Sequence, residues 1–123
     1  MHLDIEFKTE KIPSVNHTYS MGKNGVFKEK EVSCFQRELS VFANIQAQKQ
    51  KARFFKGEQL EVALTFSVKN MRRDLDNMLK PVLDALQGIV FKNDCQIMRL
   101  TCIKKESKKA YELVYISVSE WNP

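Results

Sequence analysis

Apolar residues recur along this chain with two different periods, and the change from one to the other outlines the elements. Leu3, Ile5 and Phe7 alternate with Asp4, Glu6 and Lys8, the pattern of a strand with one face toward a core. Ile12-Pro13-Ser14-Val15-Asn16 ends it, because proline has no N–H to give a ladder and restricts the residue before it. The stretch 16–30, polar and carrying Gly22 and Gly25, reads as a mobile loop. From about 28 to 50 the period lengthens: Val32, Phe35, Leu39, Phe42 and Ile45 fall along one helical face that packs on a core. Alternation returns at Leu60, Val62, Leu64, Phe66 and Val68, a strand following Gly57. A second helix is expected over 74–87, with Leu75, Met78, Leu79, Val82, Leu83 and Leu86 as its apolar stripe and Gly88 as its stop. Pro81 inside it removes one backbone donor. Two further strands, 97–105 and 111–120, are separated by a link short enough for an antiparallel hairpin. The order β-loop-α-β-α-β-β predicts an α+β fold: one domain over 1–123, a mixed sheet of about four strands and two main helices.

Composition fits this outline. An apolar share of 43% in 123 residues is enough to build one core. No apolar run approaches the length that spans a bilayer, and Asp4, Glu6, Lys8 and Glu10 interrupt the N-terminal apolar residues, against a secretory signal. Cys34, Cys95 and Cys102 match neither a disulfide framework nor a zinc site, so reduced, partly buried thiols and a cytoplasmic location are expected. The net charge of +5 favours a polyanionic partner.

Candidate chemistry concentrates in Met71–Ile97. Asp74 and Asp76 stand at the start of the second helix, and Asp94 lies in the connection that follows it, which could return to the same place. Three converging carboxylates repel one another unless they take up protons or a cation. With no Cys/His cluster nearby, hard oxygen ligands select Mg²⁺, or Mn²⁺, over zinc. Such an ion activates water and offsets charge on a scissile phosphate. Each acid also has a structural reading: Asp74 and Asp76 as helix-start residues that complement the dipole, Asp94 as a turn residue. Lys80, one turn after Asp76, could stabilise a phosphate or form an ion pair with Asp84. Asn77 could orient a water or cap the helix.

Basic residues cluster as Lys49, Lys51, Arg53 and Lys56; as Lys69, Arg72 and Arg73; and as Lys104, Lys105, Lys108 and Lys109. They could hold phosphates by charge, without base specificity, or be solvated surface. Tyr19 and Phe27 could stack on or wedge against exposed bases.

Arg73-Asp74-Leu75-Asp76-Asn77, then Lys80, Asp84-Ala85-Leu86, Gly88 and Asn93-Asp94-Cys95-Gln96-Ile97 follow the order of the RusA-type Holliday junction resolvases, and the chain resembles that family over nearly its whole length. Pro13-Ser14-Val15-Asn16 with Tyr19 is similar to the family's opening motif. The resemblance implies a RusA-like fold in a homodimer that binds branched DNA, chiefly four-way junctions. It implies paired, symmetric, Mg²⁺-dependent nicks in phage or prophage recombination and repair. It assigns Asp74, Asp76 and Asp94 to metal and catalysis and Lys80 to catalysis. Lys69, Arg72, Arg73, Asn77, Lys104, Lys105, Lys108, Lys109, Asn16 and Tyr19 would bind DNA. The family usually has two consecutive acids before the next strand; here Asn93 precedes Asp94, and an Asn93 acting as a ligand would weaken metal binding. A non-catalytic branched-DNA-binding module and a less structure-selective nuclease are the competing readings.

Overall fold

The computed structural model describes residues 2–14 and 23–123, and within the second stretch the side chains from residue 30 onward. In chain order the elements are β1 (His2–Thr9), α1 (Lys23–Lys49), β2 (Leu60–Val68), α2 (Leu75–Leu86), a 3₁₀ turn (Asp94–Gln96), β3 (Ile97–Glu106) and β4 (Glu112–Glu120). Helix α1 begins earlier than its periodicity announces and takes over 23–30 from the expected loop. A glycine inside a helix costs only about 1 kcal/mol, so Gly25 does not stop it.

The described strands form one mixed sheet in the order β1-β4-β2-β3. Strand β4 runs antiparallel to both β1 and β2, pairing Ile116 with Ile5 on one side and with Leu64 on the other. Strands β2 and β3 are parallel, with Leu60 opposite Ile97 and Val68 opposite Glu106. The expected β3–β4 hairpin is therefore absent. The link after β3 crosses the end of β2, where Ser107 N–H donates to Val68 O (2.7 Å), and β4 inserts on β2's far side. Burial explains the choice. Val114, Ile116 and Val118 of β4 are fully buried, whereas β3 carries Lys104 and Lys105 and leaves Met98, Leu100 and Ile103 exposed. The more apolar strand takes the centre and the basic one the edge.

One face of the sheet, through Leu3, Ile5, Val62, Leu64, Phe66, Val114, Ile116 and Val118, packs under the helices. From α1 come Phe35, Leu39 and Ala43; Ile45, expected in this stripe, is 43% exposed, and Ala43 holds the inward position instead. Helix α2 buries Met78, Pro81, Val82, Ala85 and Leu86. The helices are tied by side-chain donors: Gln36 Nε2 to Pro81 O (3.1 Å) and Ser40 Oγ to Ala85 O (2.8 Å). Cys34 and Cys95 are exposed and only Cys102 is partly buried, so the thiols are free but less sheltered than expected; burial pushes the Cys102 thiol above its usual range.

Candidate active site

Because β2 and β3 are parallel, α2 must carry the chain from the C-terminal end of β2 back to the N-terminal end of β3. That return decides where the acids lie. Asp74 is the N-cap of α2 and Asp76 lies in its first turn, both exposed, at the end of the sheet where β2 finishes. Asp94 opens the 3₁₀ turn leading into β3, at the opposite end. The 12 residues of α2 alone separate the two places by about 18 Å, at roughly 1.5 Å of rise per residue. The connection after α2 therefore does not bring Asp94 to Asp74 and Asp76 within one chain, and no three Asp, Glu, His or Cys among the described residues form a metal-holding group. The local pattern was legible in the sequence; the end of the sheet to which it led was not.

The first end is held together by a buried ion pair. Glu112 is 2% exposed. Its carboxylate accepts from Ile12 N (2.7 Å), Lys69 N (2.7 Å) and Arg73 Nη1 (2.8 Å). Arg73 also donates to Ile12 O and to Ser14 Oγ. This clasp joins the exit of β1, the exit of β2 and the start of β4, and it fixes the residue immediately before Asp74. Lys104 reinforces it, with Nζ donating to Met71 O and Arg73 O (2.7 Å each). Both had been expected on DNA. The structure turns them inward instead, because a carboxylate and bare carbonyls at the ends of strands need donors. Asp74 makes no side-chain cap bond to the helix. Asn77 Nδ2 lies 3.5 Å from Asp74 Oδ2, and Lys80 pairs loosely with Asp84 (3.7 Å), the helix-surface bond its spacing allowed.

Lys69, Arg72, Lys105, Lys108 and Lys109 remain exposed, at or near the end that holds Asp74. A hollow of about 450 Å³ opens there, lined by Pro13, Ser14, Lys69, Asn70, Arg73 and Glu112 among others; the aspartates are outside it, on open surface. Asn16 and Tyr19 lie outside the described residues, as does the side chain of Phe27.

At the far end the turn bearing Asp94 is equally well built. Gln96, 9% exposed, accepts from Lys92 N (3.0 Å) and Asn93 N (2.9 Å) through Oε1 and donates to Phe55 O and Glu58 O through Nε2. Asn93 Oδ1 accepts from Cys95 N (2.9 Å), completing a capping box with Gln96. Asn93 thus has a structural task, capping this turn. Asp94 N–H donates to Gln87 Oε1 (2.8 Å), and Asp94 itself stays exposed. Sequence reasoning missed Glu112 and its clasp at one end, and the part Gln96 plays in holding the turn at the other. Glu112 did leave a signal: it continues the inward alternation of Val114, Ile116 and Val118, a place where an acid needs a partner.

The chain is thus a two-layer α+β domain with exposed acids at a helix start and exposed lysines and an arginine at or near the same end of the sheet. Comparison with family models narrows this description: the chain matches the model described as endodeoxyribonuclease RusA over residues 9–119 of 123. The protein belongs to the RusA endodeoxyribonuclease family, a family of Holliday-junction-resolving nucleases. Among curated proteins nothing matches the chain.

Proposed function

We propose that this protein is a Mg²⁺-dependent endonuclease that resolves four-way DNA junctions by paired symmetric nicks, acting as a homodimer in phage or prophage recombination and repair. The observation that carries the reading is the family match over 9–119, which includes every acid of the candidate site. The donor set supports Mg²⁺ by its chemistry: Asp74 and Asp76 offer exposed carboxylate oxygens, the hard ligands that such an ion takes. When bound, the ion supplies an activated water and charge to offset the scissile phosphate. Lys80 supports the phosphate from the next turn, and its loose bond to Asp84 leaves it free to do so. Exposed Lys69, Arg72, Lys105, Lys108 and Lys109 hold the flanking backbone by charge.

Labelled four-way and linear duplexes incubated with and without Mg²⁺ test this. Paired nicks on the junction alone are expected, and Asp76→Asn abolishes them while sparing junction binding. An Asp76→Asn protein that cuts like the wild type refutes the site; equal cutting of linear duplex reduces the function to a general nuclease. A non-catalytic branched-DNA binder is the second reading, favoured by the separation of Asp94 from Asp74 and Asp76 within one chain. It predicts binding with no Mg²⁺-dependent nick.

A further inference from the structure

Four of the chain's cations, Lys49, Lys51, Arg53 and Lys56, fall in a run of eight residues that holds no acid, and none belongs to the site at the start of α2. The run leaves α1 through Lys51, whose φ of 56° is a left-handed conformation that glycine usually fills. Ala52 N–H then donates back to Ala47 O (2.9 Å). Beyond it the chain lies along the connection between α2 and β3. Phe55 bridges Phe91 there, its N–H donating to Val90 O (2.9 Å) and its O accepting from Lys92 N (3.1 Å). Gln96 Nε2 is a second donor to Phe55 O (3.1 Å) and also holds Glu58 O (3.0 Å). Phe54 thus sits on a backbone pinned on both sides.

Alternation on this extended stretch sends the two phenylalanines opposite ways. Phe55 is 1% exposed, in the core, and Phe54 is 42% exposed. A lone exposed apolar side chain is ordinary; its surroundings are what single out Phe54. Of the exposed charges on 49–58 and 92–94, five are cations and two, Glu58 and Asp94, are acids. Tyr115, the aromatic exposed to a similar degree among the described residues, has the reverse setting. Its hydroxyl donates to Asp4 (2.7 Å), and Glu6 is its neighbour on β1. A fixed ring among excess cations has the makeup of a nucleic-acid surface, with charge for phosphate and a π face for a base.

We infer that the 51–56 segment is a second DNA-contacting surface, at the Asp94 end of the sheet, and that Phe54 stacks on a base left open at a branch point and so sets the preference for branched over linear DNA. The inference rests on the nuclease reading for the class of ligand. In a linear duplex every interior base pair is stacked on both sides, and a side chain enters only by prising a step apart. Where arms diverge, a pair lacks a neighbour on one side, and a ring stacks there without that penalty. Lys108 and Lys109 stand at the other end of the sheet, about 30 Å away over the nine residues of β2 at roughly 3.3 Å each. Their phosphate contacts are blind to branching. Selectivity needs a group that feels the bases, and Phe54 supplies it.

Anisotropy titrations of labelled four-way and linear duplexes, run without Mg²⁺ so that neither is cut, test this. Phe54→Ala should weaken junction binding about tenfold, the loss of one stacked base, and leave linear duplex within about twofold. Phe54→Trp should keep the preference for junctions, whereas Phe54→Leu, equally apolar but without a π face, should lose it. Lys51→Ala combined with Lys56→Ala should weaken both DNAs alike and make the salt slope shallower by about 2. The inference is overturned if Phe54→Ala keeps the wild-type ratio of junction to linear affinity, if it weakens both equally, or if Phe54→Leu matches wild type. Nicking of the same junction with Mg²⁺ separates this surface from the nuclease reading. A Phe54→Ala protein that keeps the wild-type ratio and still nicks removes the surface alone. A wild type whose preference depends on Phe54 but which never nicks removes the nuclease reading and leaves the surface in place.

Discussion

Arg73 and Glu112 show how far a residue's role depends on what lies beneath it. Beside Arg72 in the sequence, Arg73 looks like a second phosphate contact. In the fold its side chain is only 10% exposed and Glu112's 3%, and the pair ties three segments, the exits of β1 and β2 and the start of β4, to the start of α2. Removing one member of a buried pair strands the other charge and, here, also unpairs the N–H groups of Ile12 and Lys69. Glu112→Ala should therefore cost about 3–5 kcal/mol, read as a lower urea midpoint with an unchanged slope. A loss below about 1 kcal/mol, the size expected of an exposed pair, would mean that the clasp is open in solution. Because Arg73 precedes Asp74, the same variant should lose nicking before it loses fold at moderate temperature.

At the scale of elements, Gly88 is the position where the backbone dictates the residue. It leaves α2 with φ of 83°, and its N–H donates to Phe91 O (2.7 Å), turning the chain toward the buried Val90 and Phe91. A Cβ there meets nothing within 4 Å, so Gly88→Ala adds backbone strain without a clash. The expected cost is about 1–2 kcal/mol, visible as a lower thermal midpoint with the same cooperativity; no change would refute the left-handed turn. This stop was legible because helix periodicity ended at a glycine, and the spans of β2 and α2 were legible for the same kind of reason. Strand neighbours were not. Periodicity fixes which face of a strand is buried, but 97–105 and 111–120 read equally well as partners. The competition that separated them, Val114, Ile116 and Val118 against Lys104 and Lys105 for the centre of the sheet, is a comparison across the whole domain. The candidate site failed to close for the same reason. Asp74, Asp76 and Asp94 could be named from local context, whereas the end of the sheet each occupies follows from the parallel pairing of β2 with β3.

Over the whole molecule the excess of 20 Lys and Arg against 15 Asp and Glu is unevenly useful. Lys104 and Arg73 are spent on the protein's own carbonyls and carboxylate. Lys108 and Lys109 stand exposed on the link between β3 and β4, at the end of the sheet that carries Asp74 and Asp76. Lysines so placed bind phosphate by releasing counterions, a contribution blind to sequence and to branching. Measured against salt, junction affinity should fall linearly on logarithmic axes. Each duplex phosphate contact removed should make that slope shallower by about 0.9. The Lys108→Ala, Lys109→Ala double variant should therefore shift the slope by about 2 and weaken four-way and linear duplexes to the same extent. Asp76→Asn should do the reverse: it removes a charge that repels phosphate, so binding should hold or rise with little change in slope. If the lysine variant keeps the wild-type slope, this end of the sheet does not face the DNA. The acids would then have to work from a surface that the basic residues do not serve.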